Sequence, residues 1–423
     1  MSGHAPCLVP DAMPLATEVL VVGLGAMGSC TLAALARRGV PAVGIDRFAP
    51  PHTEGSSHGA SRIIREAYYE DPAYVPLVRE AYTEWARLAA ESGRALLHQT
   101  GGLCYGPSDS ALVRGALASA RAHRVAHELL DAREIHHRFP AHRLPEHYVG
   151  VLETRAGWLD PEQCVTAALE VAVRHGATVR TREQVLQVAP RADGVRVTTD
   201  VATYEAARVV LSAGMWMGAL VPSLAAQLTV QRNVLYWFSP EGVASSEVIG
   251  ASRPGSAFDA VRFPVFLGEI APDQLWYGFP DLGAGVKVAM HHHGPACTPA
   301  TVNRAVQVAE VTAMRDRLAQ WLPQANGRLQ RTAVCTYTNT PDGHFVIDTH
   351  PESDRCWIVS PCSGHGFKFA SAIGARVAAA VAGEAGTPFP ALFRRDRLST
   401  AGQGGGGGST SVGPFGIFKG SRE

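Results

Sequence analysis

The sequence lacks an excess of charge of either sign and any long apolar run. Its 38 basic side chains balance 38 acidic ones, so the formal net charge is +0. Proteins that bind nucleic acid or anionic membranes usually carry a basic surface, which this balance does not supply. No apolar run approaches the roughly 20 residues that span a bilayer, and the first fifteen residues do not resemble a secretion signal. We therefore expect a soluble, cytoplasmic protein with a short frayed start that acts on small molecules.

The sequence also lacks paired cysteines. Disulfide frameworks are typical of short secreted chains and zinc ribbons need CxxC pairs, so this chain of 423 residues favours neither. Its eight cysteines are Cys7, Cys30, Cys104, Cys164, Cys297, Cys335, Cys356 and Cys362. Their scatter suits a reducing compartment, and the length predicts one or two interlocked domains with a sizeable core.

What the sequence does contain is a βαβ pattern near its start. An apolar strand over Glu18–Val22 runs into a glycine turn. An alanine-rich helix over Ser29–Arg38 follows and ends at Gly39, and a second strand covers Ala42–Ile45. Apolar strand, glycine turn and helix with a C-terminal glycine are the parts of a nucleotide-binding unit.

Three glycines and one carboxylate make this unit specific. Gly23 permits a tight turn, Gly25 lets the backbone approach a pyrophosphate, and Gly28 allows close helix packing. Asp46 follows the second strand, where it can accept a hydrogen bond from a ribose hydroxyl. These residues predict a dinucleotide site; the alternative is a glycine turn in an unrelated α/β protein.

Later segments predict a sheet shared between distant parts of the chain. The expected elements are a helix over 161–176, strands over 185–189, 195–199 and 207–214, strand-like runs over 224–276, a helix over 301–321 and a final helix over 371–382. The helix, hairpin and return strand of 161–214 can rejoin the first sheet, which makes the dinucleotide domain discontinuous. After Thr400 a glycine run predicts a flexible tail.

Four segments place polar groups among glycines and aromatics, where a ligand is a plausible partner. In the first, Arg62 and Arg65 carry guanidinium forks that match a carboxylate or phosphate; surface ion pairing is the alternative. In the second, Lys287 stands between Val286 and Val288, where an ammonium needs a partner or a task unless it lies on a solvated strand face.

The same segment contains three consecutive histidines, His291, His292 and His293, which suggest a metal site. Side chains of a regular strand alternate between its faces, so the three cannot converge on one ion, and we expect no metal. The third segment contains Cys335, which taken alone is most often a buried structural thiol. In the fourth, a glycine-bracketed loop carrying Lys368 enters the last helix and offers backbone N–H groups to an electron-rich ligand.

Together the four segments resemble the monomeric sarcosine oxidase and N-methyltryptophan oxidase family, within the D-amino-acid-oxidase-like superfamily. The motifs that carry the resemblance are SHGASRIIREAY (Ser57–Tyr68), YGFPDLGAGVKVAMH (Tyr277–His291), CTYTNTPDGHFVID (Cys335–Asp348) and SGHGFKF (Ser363–Phe369). The resemblance runs from about Thr17 to Leu398. It implies FAD as the cofactor, bonded through its 8α carbon to Cys335, and O₂ as co-substrate. One departure is Ala60, which stands where the pattern often has Asp.

The resemblance also implies roles for individual residues. Arg65 and Lys368 are expected to bind the substrate carboxylate, and Lys287 to activate dioxygen. Further residues that match active-site positions, tuning the flavin and shaping the pocket, are His58, Arg62, Tyr277, His291 and Tyr337. The full set expected to bind the cofactor is Gly23, Gly25, Gly28, Asp46, Ser57, His58, Arg62, Cys335, Gly364, His365, Gly366 and Lys368.

The sequence thus predicts a mixed α/β fold. A Rossmann-like FAD-binding domain is expected from residues 15–90, 150–222 and 330–398, an antiparallel-sheet substrate domain from 91–149 and 223–329, and a flexible tail over 399–423. The expected activity is oxidation of a secondary amino acid, sarcosine or another N-methyl amino acid, to an imine with release of hydrogen peroxide, by a monomer. Alternatives are an oxidase of a cyclic imino acid such as pipecolate or a piperideine carboxylate, an NAD-dependent dehydrogenase, and a flavin-binding module without activity.

Overall fold

A computed structural model describes residues 13–240 and 256–400. The predicted frayed start up to residue 12, part of the predicted strand-like run (241–255) and the predicted tail from residue 401 lie outside the described residues. The helices are α1 (Ala26–Arg37), α2 (Tyr74–Ser92), α3 (Ala111–His123), α4 (Ala132–Arg138), α5 (Pro161–Arg174), α6 (Met217–Leu220), α7 (Pro222–Ala225), α8 (Val308–Trp321), α9 (Ala370–Val381) and α10 (Arg397–Thr400). The last of these extends two residues into the stretch predicted as tail.

An eight-stranded sheet contains the βαβ unit. Its strands are β1 (Leu15–Val22), β2 (Ala42–Asp46), β9 (Thr178–Thr181), β10 (Val185–Pro190), β11 (Val195–Thr199), β12 (Thr203–Leu211), β19 (Val346–His350) and β20 (Ser353–Ser360). The strand order is β10-β11-β12-β1-β2-β9, with β20 parallel to β12 and β19 paired with β20. The predicted return of a distant helix and hairpin to the first sheet is present, because β12 pairs in parallel with β1.

A nine-stranded sheet, mostly antiparallel, forms the second layer. Its strands are β5 (Gly102–Pro107), β6 (Glu128–Asp131), β7 (Tyr148–Glu153), β13 (Thr229–Phe238), β14 (Val265–Ala271), β15 (Gln274–Asp281), β16 (Val286–His291), β17 (Ala296–Cys297) and β18 (Leu329–Asn339). A small third sheet contains β3 (Arg62–Ile64), β4 (Leu97–Gln99) and β8 (Gly157–Leu159). We propose two domains, one built around each of the larger sheets.

The central strand of the first sheet is buried on both faces. The apolar half of β1, Val19–Val22, is buried, as expected for a central parallel strand. Helix α1 packs against α5 and α9. A Cβ atom on Gly374 of α9 would lie 2.6 Å from the carbonyl carbon of Cys30 in α1, so glycine is needed for this close helix crossing.

Two boundaries differ from the prediction. The helix predicted over 301–321 begins only at Val308, where Gln307 and Glu310 form a capping box that fixes its first turn. The segment predicted to belong to the cofactor domain from residue 330 instead begins with β18, which pairs along its whole length with β13. Period-two alternation identifies a strand without naming its partner, so the sequence could not assign β18 to a sheet. Over the described residues, none of the helices combines the length and apolarity that crossing a bilayer requires.

Candidate active site

A cavity of about 310 Å³ extends between the glycine turn and the nine-stranded sheet. The predicted site residues that line it are Gly23, Gly25, Asp46, Ser57, Arg62, Arg65, Tyr277, His291, Cys335, Tyr337, Gly364, His365, Gly366 and Lys368. Those that do not line it are Gly28, His58 and Lys287. Groups separated by up to 345 residues in the sequence thus meet around one space.

The glycine turn is shaped as its sequence predicts. Gly23 has φ +85°, and a Cβ atom on Gly28 would lie 1.8 Å from the Gly23 carbonyl oxygen. Gly25 occupies the N-cap of α1 and provides no side-chain cap, while Ser57 Oγ accepts from the Ala26 N–H at 3.1 Å. The uncapped start of α1 therefore presents its positive end to the cavity, as an anion site requires.

Asp46 closes the βαβ unit at the cavity wall. Its carboxylate accepts from the Leu24 N–H at 2.7 Å and from the Phe48 N–H at 2.7 Å. The side chain is 6% exposed and faces the cavity. It is held where a ribose hydroxyl could donate to its remaining lone pairs.

Cys335 lies in the wall formed by β18 and contacts a half-buried arginine. The Arg62 guanidinium donates to Cys335 Sγ at 3.5 Å and to the Ser56 carbonyl at 2.8 Å. The thiol predicted to bond the flavin is therefore both at the cavity and next to a cation.

Arg65 reaches the cavity as half of a buried ion pair. Its Nη2 donates to both oxygens of Glu70, at 2.9 and 3.2 Å, and its Nη1 donates to the Ala67 carbonyl at 2.7 Å. Burial alone would lower the pKa of Arg65, but the Glu70 charge raises it above its ordinary value. The guanidinium lies 4.5 Å from the centre of the Tyr68 ring.

Lys368 also lines the cavity and lies near the Tyr68 ring. Its Nζ lies 5.1 Å from the centre of the Tyr68 ring and donates to the His365 carbonyl at 2.9 Å. Burial, with a further contribution from Arg65, lowers the pKa of Lys368 to about 7. The structure thus brings the two cations predicted for carboxylate binding close to one aromatic ring, that of Tyr68.

A neutral histidine fixes this region. His365 Nε2 donates to the Gly343 carbonyl at 2.9 Å, so its Nδ1 accepts from the Tyr68 hydroxyl at 2.6 Å. Burial lowers the pKa of His365 to about 3, which agrees with the neutral ring that this bonding requires. Lys368 Nζ in turn donates to the Tyr68 oxygen at 3.4 Å.

Lys287 lies just outside the cavity, in β16. Its Nζ donates to the Gly59 and Ser61 carbonyls at 2.7 and 2.8 Å and to Ser61 Oγ at 3.1 Å. It lies 4.6 Å from the ring centre of Phe279, a residue of the cavity wall. Burial, and then the charge of Arg62, lower the pKa of Lys287 well below its ordinary value.

Aromatic groups complete the wall near Cys335. Tyr337 and His291 share a contact of 3.3 Å between the hydroxyl and Nδ1, and a Cβ atom on Gly364 would lie within 3 Å of both rings. Burial raises the pKa of Tyr277, whose hydroxyl hydrogen-bonds to Tyr337. Both ring nitrogens of His58 are buried without a partner, and burial lowers its pKa to about 3.

The three consecutive histidines do not lie along a regular strand. β16 ends at His291, and His292 has φ 53°, so the two rings lie 4.1 Å apart. Both contact the Tyr337 ring, at 5.5 and 5.2 Å. Within residues 13–240 and 256–400, no group of three or more His, Cys, Asp or Glu side chains is placed to hold a metal ion.

The sequence did not reveal the roles of two carboxylates, Glu70 and Glu162, or of Tyr68. Glu70 lines the cavity and pairs with Arg65, and Glu162 accepts from the backbone beside Lys287. Tyr68 ends the motif Ser57–Tyr68, but its ring was not expected to lie near both Arg65 and Lys368. Arg65 and Glu70 are five residues apart, a separation that matches neither the helical nor the strand period, so the sequence does not indicate their pairing. The contact of Glu162 with Gly59 spans about a hundred residues.

Comparison with known proteins identifies the family. The model of the DAO family, described as FAD dependent oxidoreductase, matches residues 18–380. The chain belongs to this FAD-dependent oxidoreductase family. The predicted flavoprotein oxidoreductase and its dependence on FAD are thereby confirmed.

Relatives within the family agree with the resemblance. A monomeric sarcosine oxidase from Streptomyces avermitilis is 39% identical over 389 residues, covering 91% of this chain and 98% of that protein. An N-methyl-L-tryptophan oxidase from Yersinia pestis is 33% identical, covering 88% of this chain and 96% of that protein. The predicted relationship to these two kinds of oxidase is confirmed.

Solved structures confirm the predicted fold class. The open form of NikD, an unusual amino acid oxidase essential for nikkomycin biosynthesis, matches with a TM-score of 0.77 at 24% identity, covering 90% of this chain and 97% of that one. L-proline dehydrogenase from P. horikoshii matches with a TM-score of 0.76 at 19% identity, covering 92% and 99%. At these identities the likeness concerns the fold alone.

The residues of this FAD-dependent oxidoreductase fit its cofactor. The uncapped start of α1 suits a pyrophosphate, and Asp46 suits a ribose. The cavity continues from these groups to Cys335 and Lys368. Cys335 is a thiol in that wall, with Arg62 as a cationic neighbour, which suits a covalent link.

Proposed function

We propose that this protein oxidises secondary amino acids of the sarcosine or other N-methyl type at a C–N bond, giving an imine and hydrogen peroxide. Relatives named sarcosine oxidase and N-methyl-L-tryptophan oxidase align over 84–91% of the chain. The observation that carries the proposal is the convergence of Arg65, Lys368 and Cys335 on one cavity with the start of α1. A substrate would be a small molecule with an amine and a carboxylate.

FAD would be held along the cavity by groups from both ends. Gly23, Gly25 and the start of α1 would face its pyrophosphate, and Asp46 its ribose. Cys335 would hold the flavin through a thioether to its 8α carbon, with the Arg62 guanidinium donating to its sulfur. When bound, FAD supplies a two-electron acceptor for the hydride equivalents of a C–H bond next to nitrogen and passes those electrons to O₂.

Arg65 and Lys368 would bind the substrate carboxylate. An ammonium has three donors, and Lys368 uses two on the His365 carbonyl and the Tyr68 hydroxyl, which leaves one N–H for a substrate. Two cations that line the same cavity can hold the two oxygens of one carboxylate, and this orients the amine attached to it. Glu70 keeps the Arg65 charge compensated when no substrate is present.

Lys287 would stabilise the negative charge that develops as O₂ is reduced. Its three hydrogen bonds hold the amine in one position, so no reorganisation is needed when that charge appears. It is 1% exposed, and an ammonium acts more strongly on a neighbouring charge when water is excluded.

A substrate panel tests the proposal. The purified holoenzyme is mixed anaerobically with sarcosine, other N-methyl amino acids, ring imino acids such as pipecolate, and primary amino acids, and flavin bleaching is followed. The same compounds are then tested in air for peroxide. We expect fast bleaching and peroxide with at least one N-methyl amino acid. Faster turnover of a ring imino acid would replace the proposed substrate class, and failure of every secondary amino acid to bleach the flavin would overturn the proposal.

A further inference from the structure

The backbone that receives Lys287 is itself held by a carboxylate from another part of the chain. Glu162, in the first turn of α5, accepts from the Gly59 N–H at 2.7 Å and from the Ala60 N–H at 3.1 and 3.2 Å. The carbonyls of Gly59 and Ser61 in this same turn accept from Lys287 Nζ. One peptide segment therefore connects the carboxylate to the ammonium.

The conformation of this segment requires such an anchor. Gly59 has φ +98° and Ala60 has φ 64°. A left-handed alanine is strained and persists only where its surroundings fix it. Successive N–H groups of such a turn form a concave anion site, and the Glu162 carboxylate occupies it.

Charge gives a second reason to single out Glu162. Charged and titratable groups around Lys287 come from four parts of the chain. They are His58 in the segment between β2 and β3, Arg62 in β3, Arg331 and Cys335 in β18, and Glu162 in α5. Arg62 and Arg331 disfavour the ammonium, and Glu162 is the carboxylate in this set. It also favours the charged form of Arg62, which burial disfavours.

We propose that Glu162 is a positioning residue for Lys287: its oxygens fix the Gly59–Ser61 turn that receives the amine, and its negative charge offsets the charges of two nearby arginines. Glu162 does not line the cavity, so it acts on the reaction through Lys287 and touches neither substrate nor cofactor. The inference rests on the proposed role of Lys287 in oxygen reduction. It adds a residue of α5 to a site otherwise assembled from the glycine turn and the four motif segments.

Two substitutions separate the hydrogen-bonding role of Glu162 from the effect of its charge. Glu162→Gln keeps an oxygen that can accept from both N–H groups but removes the charge, and Glu162→Ala removes both. Glu170→Gln makes the same chemical change on the same helix, at an exposed residue paired with Arg94, and serves as the control. Each variant is prepared as holoenzyme, and its flavin content and circular dichroism are recorded first.

The kinetic readout is the pH profile of each half-reaction. Because loss of a neighbouring negative charge lowers the pKa of an amine, Lys287 in Glu162→Gln loses its proton at lower pH. We expect reoxidation by O₂ to fall with rising pH about one unit earlier than in the wild type, and to be about tenfold slower on the alkaline side. Anaerobic reduction by substrate should change by less than about twofold, since Glu162 does not contact the carboxylate site.

Hydrogen exchange gives a readout independent of turnover. The amides of Gly59 and Ala60 should remain protected in Glu162→Gln and in the control, and exchange at least about tenfold faster in Glu162→Ala, where their acceptor is lost. Unchanged protection in Glu162→Ala would overturn the anchoring role. A reoxidation profile of Glu162→Gln that superimposes on the wild type would overturn the charge role.

A Lys287→Met variant distinguishes this inference from the proposal on which it rests. If Lys287→Met reoxidises at the wild-type rate, the oxygen role of Lys287 is wrong and the inference falls with it. If Lys287→Met reoxidises slowly while Glu162→Gln matches the wild type, the oxygen role of Lys287 stands and the charge role of Glu162 is wrong.

Discussion

At the scale of single residues, the site is dominated by cations taken out of water. Leaving a buried charge unpaired costs several kcal/mol, so each cation needs its own compensation. Arg65 has Glu70, Lys287 has three oxygen acceptors, and Lys368 has a carbonyl and a hydroxyl. Neither lysine has a carboxylate within hydrogen-bonding distance among the described residues, and burial lowers the pKa of Lys368 to about 7, so its charge changes near neutral pH.

This gives a pH prediction for carboxylate binding. The pKa of Lys368 is lowered to about 7, so its amine is protonated below that pH and neutral above it. We expect the Kd of propionate, a carboxylate without a titrating amine, to be flat below pH 7 and to rise by up to about tenfold per pH unit above it. Spectral titration of the oxidised holoenzyme measures this.

Lys368→Arg provides the comparison for this prediction. A guanidinium stays protonated over the whole range, so its Kd should show no rise between pH 7 and 9. A wild-type Kd that is constant from pH 6 to 9 would show that Lys368 does not titrate there or does not bind the carboxylate.

At the scale of elements, the turn between β1 and α1 allows little freedom. A side chain at Gly28 would collide with the Gly23 carbonyl, which is backbone and cannot move unless the turn opens. The same turn presents the start of α1 to the cavity. The tight packing of the βαβ unit and its ability to bind a pyrophosphate therefore depend on the absence of a side chain at Gly28.

Gly28→Ala should consequently lose FAD. We expect the ratio of flavin to protein to fall by about tenfold or more, and the Tm of the apoprotein to fall as well, because the helix is displaced from the strand. Gly386→Ala is the control, since a Cβ there meets only Ala379 at 3.8 Å. Full flavin content and an unchanged Tm in Gly28→Ala would contradict this account of the turn.

The sequence predicted elements well where the signal is local. The βαβ unit, the strand hairpin β10–β11 and helices α5 and α9 appear within a few residues of their predicted bounds. The start of α8 was missed because a Gln–Glu capping box was not considered, and the pairing of β18 with β13 was not predicted because β13 lies about a hundred residues earlier. Local periodicity identifies an element but not its neighbours.

At the scale of the whole molecule, the site lies where the sheets meet. Cys335 belongs to the nine-stranded sheet, Asp46 to the eight-stranded one, and Arg65 follows the small third sheet. Their meeting could be expected only from the resemblance of four motifs, since no spacing in the sequence shows it. The anchors that hold these segments together, Glu70 and Glu162 among them, lie outside or at the edge of the motifs and were not predicted.

Glu153 shows how the sheets are joined. At the end of β7 its buried carboxylate accepts from the Glu66 and Ala67 N–H groups at 2.8–2.9 Å, directly after Arg65. Glu153→Ala leaves two buried donors unsatisfied, at about 1–3 kcal/mol each, so for a chain of this length we expect the Tm to fall by about 2–7 °C. The exposed Glu128→Gln is the control; equal Tm values for both variants would contradict the role of Glu153.

The mass of the purified protein under denaturing conditions tests the central claim most directly, namely that the cavity holds a flavin bonded to Cys335. We predict the mass of the chain plus one FAD less two hydrogens, with the added mass on the proteolytic peptide that contains Cys335, and its loss in Cys335→Ser. The bare mass of the chain in a yellow preparation, or an adduct on another thiol of the cavity such as Cys362, would contradict the account.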